Sequence, residues 1–403
     1  MQPPALPSLP PEQQPAKGDW KAFTFNAYLL SFLAEGALTV LAAIPGPVGK
    51  FAGGFPLSLA GMASMTFALL VILVIGSFRS LPWRAFAPAL AFSIWEGCIY
   101  LPLPAFVDWR PLVLSAACLQ LLIGGGTLMA LHRASSGRSM LLRTGQLVHC
   151  PFSLSRTFLA GVLKLFILTP LLLAYIGWSA QVMLKKASSG FLQLDTNGLF
   201  TEARTYEKDG HKIYLLPTVH IASPNFYEML MESLPAERSV ILPEGVTDDK
   251  KLMRSTLDYS IAADSVGLSA QPDLTKRKQE PNVLHCDADI SDFSESTIRL
   301  LNAVTFAMHA ASDGDALGAI QALTGLENAH SNELIEDILE KRNQRVSAGV
   351  EKALPLFEHI AIPWGVAHMP GIERDLFKMR ARKTDSRRVQ VFNWRELRLF
   401  PEK

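Results

Sequence analysis

Two apolar runs in this 403-residue chain each end in a histidine: Ile213-Tyr214-Leu215-Leu216-Pro217-Thr218-Val219-His220 and His359-Ile360-Ala361-Ile362-Pro363-Trp364-Gly365-Val366-Ala367-His368. A third, Ser239-Val240-Ile241-Leu242-Pro243, ends in Glu244. In α/β sheets the ligand site lies outside the carboxyl ends of the strands. Two imidazoles and a carboxylate delivered there can hold a divalent metal or form a general-base centre. Taken singly, each histidine reads more simply as a satisfied structural residue. Three strand ends carrying such residues make a shared site the better reading.

Asp287 and Asp289 follow a fourth short run, Asn282–Cys286. Spaced by two, they face one way in extended backbone. They can orient the histidines or add a ligand, or they can serve only as charges at a helix N-terminus. Arg342 falls on the apolar stripe Ile335, Leu339, Val346, Val350, Ala353 and Phe357. It should point inward and take a site carboxylate or a substrate oxyanion as partner, since an unpaired buried charge is costly. His211, His285, His309 and His330 have no comparable case.

The elements that must position these groups follow from pattern. Leu199–Glu207 alternates weakly, Lys208-Asp209-Gly210-His211 supplies an Asp-Gly turn, and Lys212–Leu216 returns as the second strand of a hairpin. Phe226, Leu230, Met231 and Leu234 share a helical face, and Ser239–Pro243 reads as a buried parallel strand, completing a βαβ unit. Arg388–Phe392 makes a last strand. One helix is expected from Ser291 or Ser294 to about Ala311, another from Ser331 or Asn332 to Phe357. Residues 195–403 are thus expected to form an α/β domain with a mainly parallel central sheet.

The preceding half is different. Residues 22–184 carry few charges and contain five apolar stretches of spanning length: Phe23–Ile44, Phe55–Ile75, Ala85–Phe106, Pro111–Leu131 and Phe158–Ala180. Residues 21–184 therefore read as a multi-span α-helical membrane domain, with the lipid bilayer as its partner. Residues 1–20 form a Pro-rich disordered tail, and 185–194, with Lys185-Lys186-Ala187-Ser188-Ser189-Gly190, a linker. Five spans place Lys17, Lys21, Arg79, Arg84, Arg133, Arg138, Arg143 and Arg156 on one side of the membrane. Lys50, Arg110, Lys185 and Lys186 fall on the other, so the positive-inside rule sends the C-terminal domain outside the cytosol. An odd span count is essential to that result. Glu35, Glu96 and Lys164 lie within apolar stretches, where an interior ion pair between Lys164 and one glutamate is the simplest expectation. Net charge is only +1, which gives no support to a nucleic-acid partner. The four cysteines, Cys98, Cys118, Cys150 and Cys286, show no zinc spacing.

Common catalytic motifs are missing: no His-Glu-x-x-His helix, no Gly-x-Ser-x-Gly elbow, no phosphate loop. The strand-end constellation instead resembles the TraB/TIKI superfamily, which includes the PrgY and GumN proteins. The resemblance lies in Pro217-Thr218-Val219-His220, Pro243-Glu244-Gly245-Val246, Lys341-Arg342-Asn343 and Gly365-Val366-Ala367-His368-Met369-Pro370-Gly371. It covers about residues 195–395 and leaves out the membrane half. Pro217 stands where the family has Gly, and Lys341 where it has Glu.

The resemblance implies that His220, Glu244 and His368 are metal or catalytic residues, with Arg342 and Asn343 supporting them. It implies a metal-dependent hydrolase, a peptidase on exported or external peptides, using manganese, cobalt or zinc. Two alternatives stand beside it: a metal-independent, histidine-based esterase-like hydrolase, and a non-catalytic peptide-binding or signal-restraining protein. A peptide or protein is the expected substrate.

Overall fold

The computed structural model describes residues 20–75, 83–135, 139–142, 153–235, 237–255, 259–275, 282–312, 315, 317–318, 321 and 331–398. Residues 1–19 of the expected tail, with Lys17, lie outside the described residues, as do Arg79, Arg138, Arg143, Cys150 and His330, while Trp20 already belongs to the first helix. The chain divides into two compact units, Met1–Ala180 and Gln181–Lys403.

The first unit is helical: α1 (Trp20–Ala42), α2 (Pro47–Gly53), α3 (Phe55–Val74), α4 (Trp83–Gly97), α5 (Trp109–Ala134) and most of α6 (Leu154–Ala187). Among the described residues, four segments are long and apolar enough to cross a membrane: α1, α2 with α3, α5 and α6. The fifth expected span, Ala85–Phe106, forms none. Helix α4 is 15 residues long and gives way at Gly97 to turns and a 3₁₀ turn, Leu103–Ala105. Pro102 and Pro104 lack the N–H that would continue it. At 1.5 Å per residue α4 covers about 22 Å, short of a ~30 Å hydrocarbon core. It packs inward, with Phe86, Ala89, Leu90 and Phe92 in one core with Phe25, Tyr28, Leu29 and Phe32 of α1.

The Gly124-Gly125-Gly126 run does not break α5. Gly124 faces α1, where a methyl group would stand 2.4 Å from Leu33, so the missing side chain is what lets the helices approach. Lys164 pairs with neither glutamate. It lies in a π-helical stretch of α6, Lys164–Leu168, and its ammonium donates to the carbonyls of Ile72, Leu73 and Ile75 at the end of α3, where a helix leaves carbonyls unsatisfied. Glu35 accepts instead from Gln120 and Glu96 from Tyr100.

The second unit is an α/β domain with a mixed sheet. Its elements are β1 (Leu192–Asp195), β2 (Gly198–Lys208), β3 (His211–Thr218), β4 (Ile221–Ala222), α7 (Phe226–Met231), β5 (Ser239–Ile241), α8 (Ser260–Ser265), β6 (Ser269–Ala270), β7 (Asn282–Val283) and α9 (Glu295–Ser312). These are followed by the long helix α10 (residues 331–353), β8 (His359–Gly365), α11 (Met369–Lys378) and β9 (Arg382–Asn393). The sheet order is β1-β2-β3-β8-β5-β7, with β9 also on β2. Strands β3, β8, β5 and β7 run parallel, while β1, β2 and β9 are antiparallel. Asp209 and Gly210 both have positive φ, as the two-residue hairpin joining β2 to β3 requires.

The parallel strands β3, β8 and β5 are buried on both faces. Ile213, Leu215, Val240, Leu242, Ile360, Ile362 and Trp364 pack on α10 and α11, while Tyr214, Leu216, Ile241 and Ala361 pack on α7. Helix α10 carries a π-helical stretch, Glu336–Lys341. Its wider turn shifts the phase of the apolar stripe. Ile335, expected inside, is 51% exposed, and Asp337 is buried in its place. Beyond that stretch the stripe holds: Arg342, Val346, Val350 and Ala353 are buried.

Candidate functional site

Because β3, β8, β5 and β7 are parallel, their carboxyl ends open on one edge. Glu244 stands just past β5, His368 just past β8, and Asp287 follows β7. Arg342 and Asn343 come from the inward face of α10. These five side chains form one cluster.

Arg342 is its centre and is 8% exposed. Its Nε and Nη2 donate to the two oxygens of Asp287 at 2.9 and 2.7 Å, and Nη2 also donates to Glu244 Oε1 at 2.9 Å. Its Nη1 lies 3.2 Å from His368 Nε2, and the guanidinium sits 5.2 Å from the Trp364 ring centre. The other carboxylate oxygen of Glu244 accepts the Gly365 N–H at 2.5 Å. A methyl group at Gly365 would come within 3.2 Å of that oxygen.

His368 is 3% exposed and gripped through both ring nitrogens by two consecutive residues of α10. Nδ1 lies 2.8 Å from Asn343 Oδ1, and Nε2 faces Arg342. A guanidinium can only donate, so these partners put the imidazole proton on Nδ1, given to Asn343, and leave Nε2 as the acceptor. Glu244 Oε1 is 3.5 Å from Nε2, placed to face the charge of the ring when Nε2 is protonated. Gly371 makes room for Asn343, since a Cβ there would fall 2.2 Å from its amide nitrogen.

Electrostatics fix the roles. Burial alone would raise the Glu244 pKa, but contact with the imidazolium form of His368, the Arg342 charge and the Gly365 N–H outweigh it and hold the carboxyl at about 2. So acidic a carboxylic acid makes a poor general base near neutral pH and a firm anchor for charge. Burial works against the Arg342 charge, but Asp287 and Glu244 more than offset it and raise its pKa. Burial and the Asp287 charge push the Cys286 thiol up to about 12, so it has little thiolate character.

No family model, curated protein or solved structure matches the chain. The functional reading therefore rests on the side chains. Glu244, Asp287, Arg342, Asn343 and His368 converge; His220 takes no part in their hydrogen bonds. It is exposed, and its ring stacks on Tyr259 at 4.4 Å and 3°. Its backbone carbonyl accepts Gln271 N–H, and the adjoining β4 pairs with β6. Asp289 organises a loop, accepting from Thr247 Oγ1 and the Asp249 and Ser291 N–H groups; these hydrogen bonds, Ser291 foremost, hold its pKa low. Pro217 lies within β3, opposite Trp364 of β8.

The expected metal ligands were His220, Glu244 and His368. Among the described residues, no three His, Cys, Asp or Glu side chains are grouped to hold a metal ion. The donor set fits one poorly: the positively charged Arg342 guanidinium already lies against both Glu244 Oε1, at 2.9 Å, and His368 Nε2, at 3.2 Å. Sequence reasoning passed over Tyr259, which lies near enough to Glu244 for that carboxylate, after burial, to raise its phenol pKa. Trp364 was also missed; its indole N–H donates to Leu242 carbonyl at 2.9 Å and its ring meets His368 edge-on. A signal for Trp364 existed, since it adjoins Gly365 at the end of the strand run.

Proposed function

We propose that this chain is a membrane-attached hydrolase whose α/β domain cleaves a peptide or ester bond, with His368 as general base and no resident metal. One observation carries the reading: Asn343 fixes the imidazole so that Nε2 presents its lone pair beside Arg342. When substrate binds, its developing oxyanion draws Arg342 Nη1 off Nε2. The freed lone pair takes a proton from water as the water oxygen bonds to the carbonyl carbon, and the resulting imidazolium is stabilised by Glu244. The imidazolium then returns that proton to the departing amine or alcohol as the C–N or C–O bond breaks. Arg342 remains tethered by Asp287, so the oxyanion contact costs little reorganisation. The TraB/TIKI-like motifs support hydrolysis of peptides, and His220 with Tyr259 forms the exposed rim where a chain would lie. The metal-dependent alternative asks more rearrangement: His220 must leave its stack and Arg342 must leave both Glu244 and His368.

The test uses the full-length protein in lipid nanodiscs with fluorogenic peptides and esters. Hydrolysis should persist in chelator and fall by roughly 10²-fold or more in His368→Ala, the scale of losing a general base. Stoichiometric manganese, cobalt or zinc that disappears in His220→Ala would restore the metal centre. Peptide binding without turnover, unchanged by His368→Ala and Glu244→Gln, would make the protein a binder. Sidedness decides which substrates it meets. Four spans return the α/β domain to the side of the N-terminus, where five would place it opposite and outside the cytosol. Labelling of Lys378→Cys in intact cells places the domain outside; labelling only after permeabilisation places it in the cytosol.

A further inference from the structure

A second buried arginine joins the end of the last membrane helix to the element that carries His368. Helix α6 closes at Ala187 in a tight turn: the Gly190 N–H reaches back to the Lys185 carbonyl, with Ser189 and Gly190 both at positive φ. This is the Schellman pattern. Ser188 Oγ then accepts the Leu192 N–H, so the turn passes directly into β1. Arg204, on β2, seals the turn from inside. Its Nη2 donates to the Ser189 carbonyl at 3.0 Å, and its guanidinium lies 3.8 Å from the Phe191 ring centre.

The same guanidinium continues inward. Its Nη1 donates to Glu373 at 2.9 Å, and the Tyr206 hydroxyl donates to the same carboxylate oxygen. Glu373 sits on α11, which has His368 as its N-cap. That helix is a single packed body: Met369, Ile372 and Leu376 are buried in the core shared with α10, Gly371 abuts Asn343, and Asp375 accepts from Ser347. Ser189, Arg204 and Glu373 thus make one continuous run of contacts from the turn to the helix that holds the imidazole.

We propose that Arg204 and Glu373 form a positioning couple that fixes His368 from the C-terminal end of the last membrane helix. It rests on His368 being the reacting group, as proposed above, but its test does not need turnover. The probe is diethyl pyrocarbonate, with modification at each histidine followed by mass spectrometry on the full-length protein in nanodiscs. In Glu373→Ala, His368 should react about fivefold faster or more, as a locally opened group does. His359, at the opposite end of β8, should keep its rate. Glu373→Gln keeps an acceptor for Arg204 and should restore protection. Gly190→Ala, whose Cβ would stand 3.1 Å from Arg204 Nη2, should loosen His368 from the other end without touching Glu373. Unchanged His368 reactivity in both Glu373→Ala and Gly190→Ala overturns the couple. So does a parallel rise at His359, which would mean general loosening. If the protein hydrolyses substrate, the same variants should lower kcat and leave KM unchanged; if it does not, the labelling result still decides the couple.

Discussion

Among the described residues of the α/β domain two arginines are buried, each between two carboxylates, and they are put to different uses. Around Arg204, the carboxylates of Glu202 and Glu373 are shared with Lys383, Gln193 and Tyr206, and positive and negative charges are equal in number. Around Arg342, Glu244 and Asp287 face one guanidinium and an imidazole. With that ring neutral, the group carries one excess negative charge. The first arrangement is closed to further chemistry. The second has a use for one more proton, and it lies where the parallel strands end. The same unit is a fastener where every valence is filled and a reactive centre where an imidazole completes it.

Removing each arginine should separate the two. Arg342→Met leaves two carboxylates with little compensation and should cost about 3–5 kcal/mol, the usual penalty for breaking a buried pair. Urea unfolding followed by fluorescence measures it, and a loss below about 1 kcal/mol would show that the cluster is not held by its charges. The acid limb gives the next largest effect. Glu244 has a folded pKa of about 2 against an ordinary 4.5. Its stabilisation is therefore complete above pH 4.5 and is lost as pH falls towards 2. With the His368 imidazolium beside it, this amounts to about 3 kcal/mol. Glu244→Gln should flatten stability over that window, read from melting temperature against pH. Arg204→Met should cost less than Arg342→Met, about 2 kcal/mol, because Lys383 and Tyr206 still cover its carboxylates. Equal losses would remove the contrast. Smallest is the surface pair Arg388–Asp195, 2.8 Å apart: Asp195→Asn should change stability by no more than about 0.5 kcal/mol in the same unfolding assay.

What the sequence made legible was local. Strand runs ending in Glu244 and His368, the Asp209-Gly210 turn and the inward Arg342 all depend on patterns within a few residues. The remainder depends on contacts or irregularities that periodicity does not carry. Arg204 sits in a weakly alternating stretch and meets Glu373 169 positions away. The π-helical stretch shifts the stripe, so a strict 3.6 period put Ile335 inside and overlooked Asp337. His220 follows a strand as His368 does, yet it turns to Tyr259, an aromatic that no spacing rule connects to it. Composition marked Ala85–Phe106 as apolar enough to span, but proline and glycine positions govern whether such a stretch remains one helix.

The turn at Ser188–Gly190 has a practical consequence. Composition suggests cutting the α/β domain free in the stretch from Lys185 to Leu194, as one would cut a tether. A cut after Phe191 would discard the Ser189 carbonyl and the Phe191 ring, leaving Arg204 held only by Glu202 and Glu373. Soluble versions starting at 195 should be poorly behaved and misleading in activity assays. Those that begin near Gln181, keeping the last turns of α6 and replacing their outward apolar side chains, would retain the lock that the domain closes on itself.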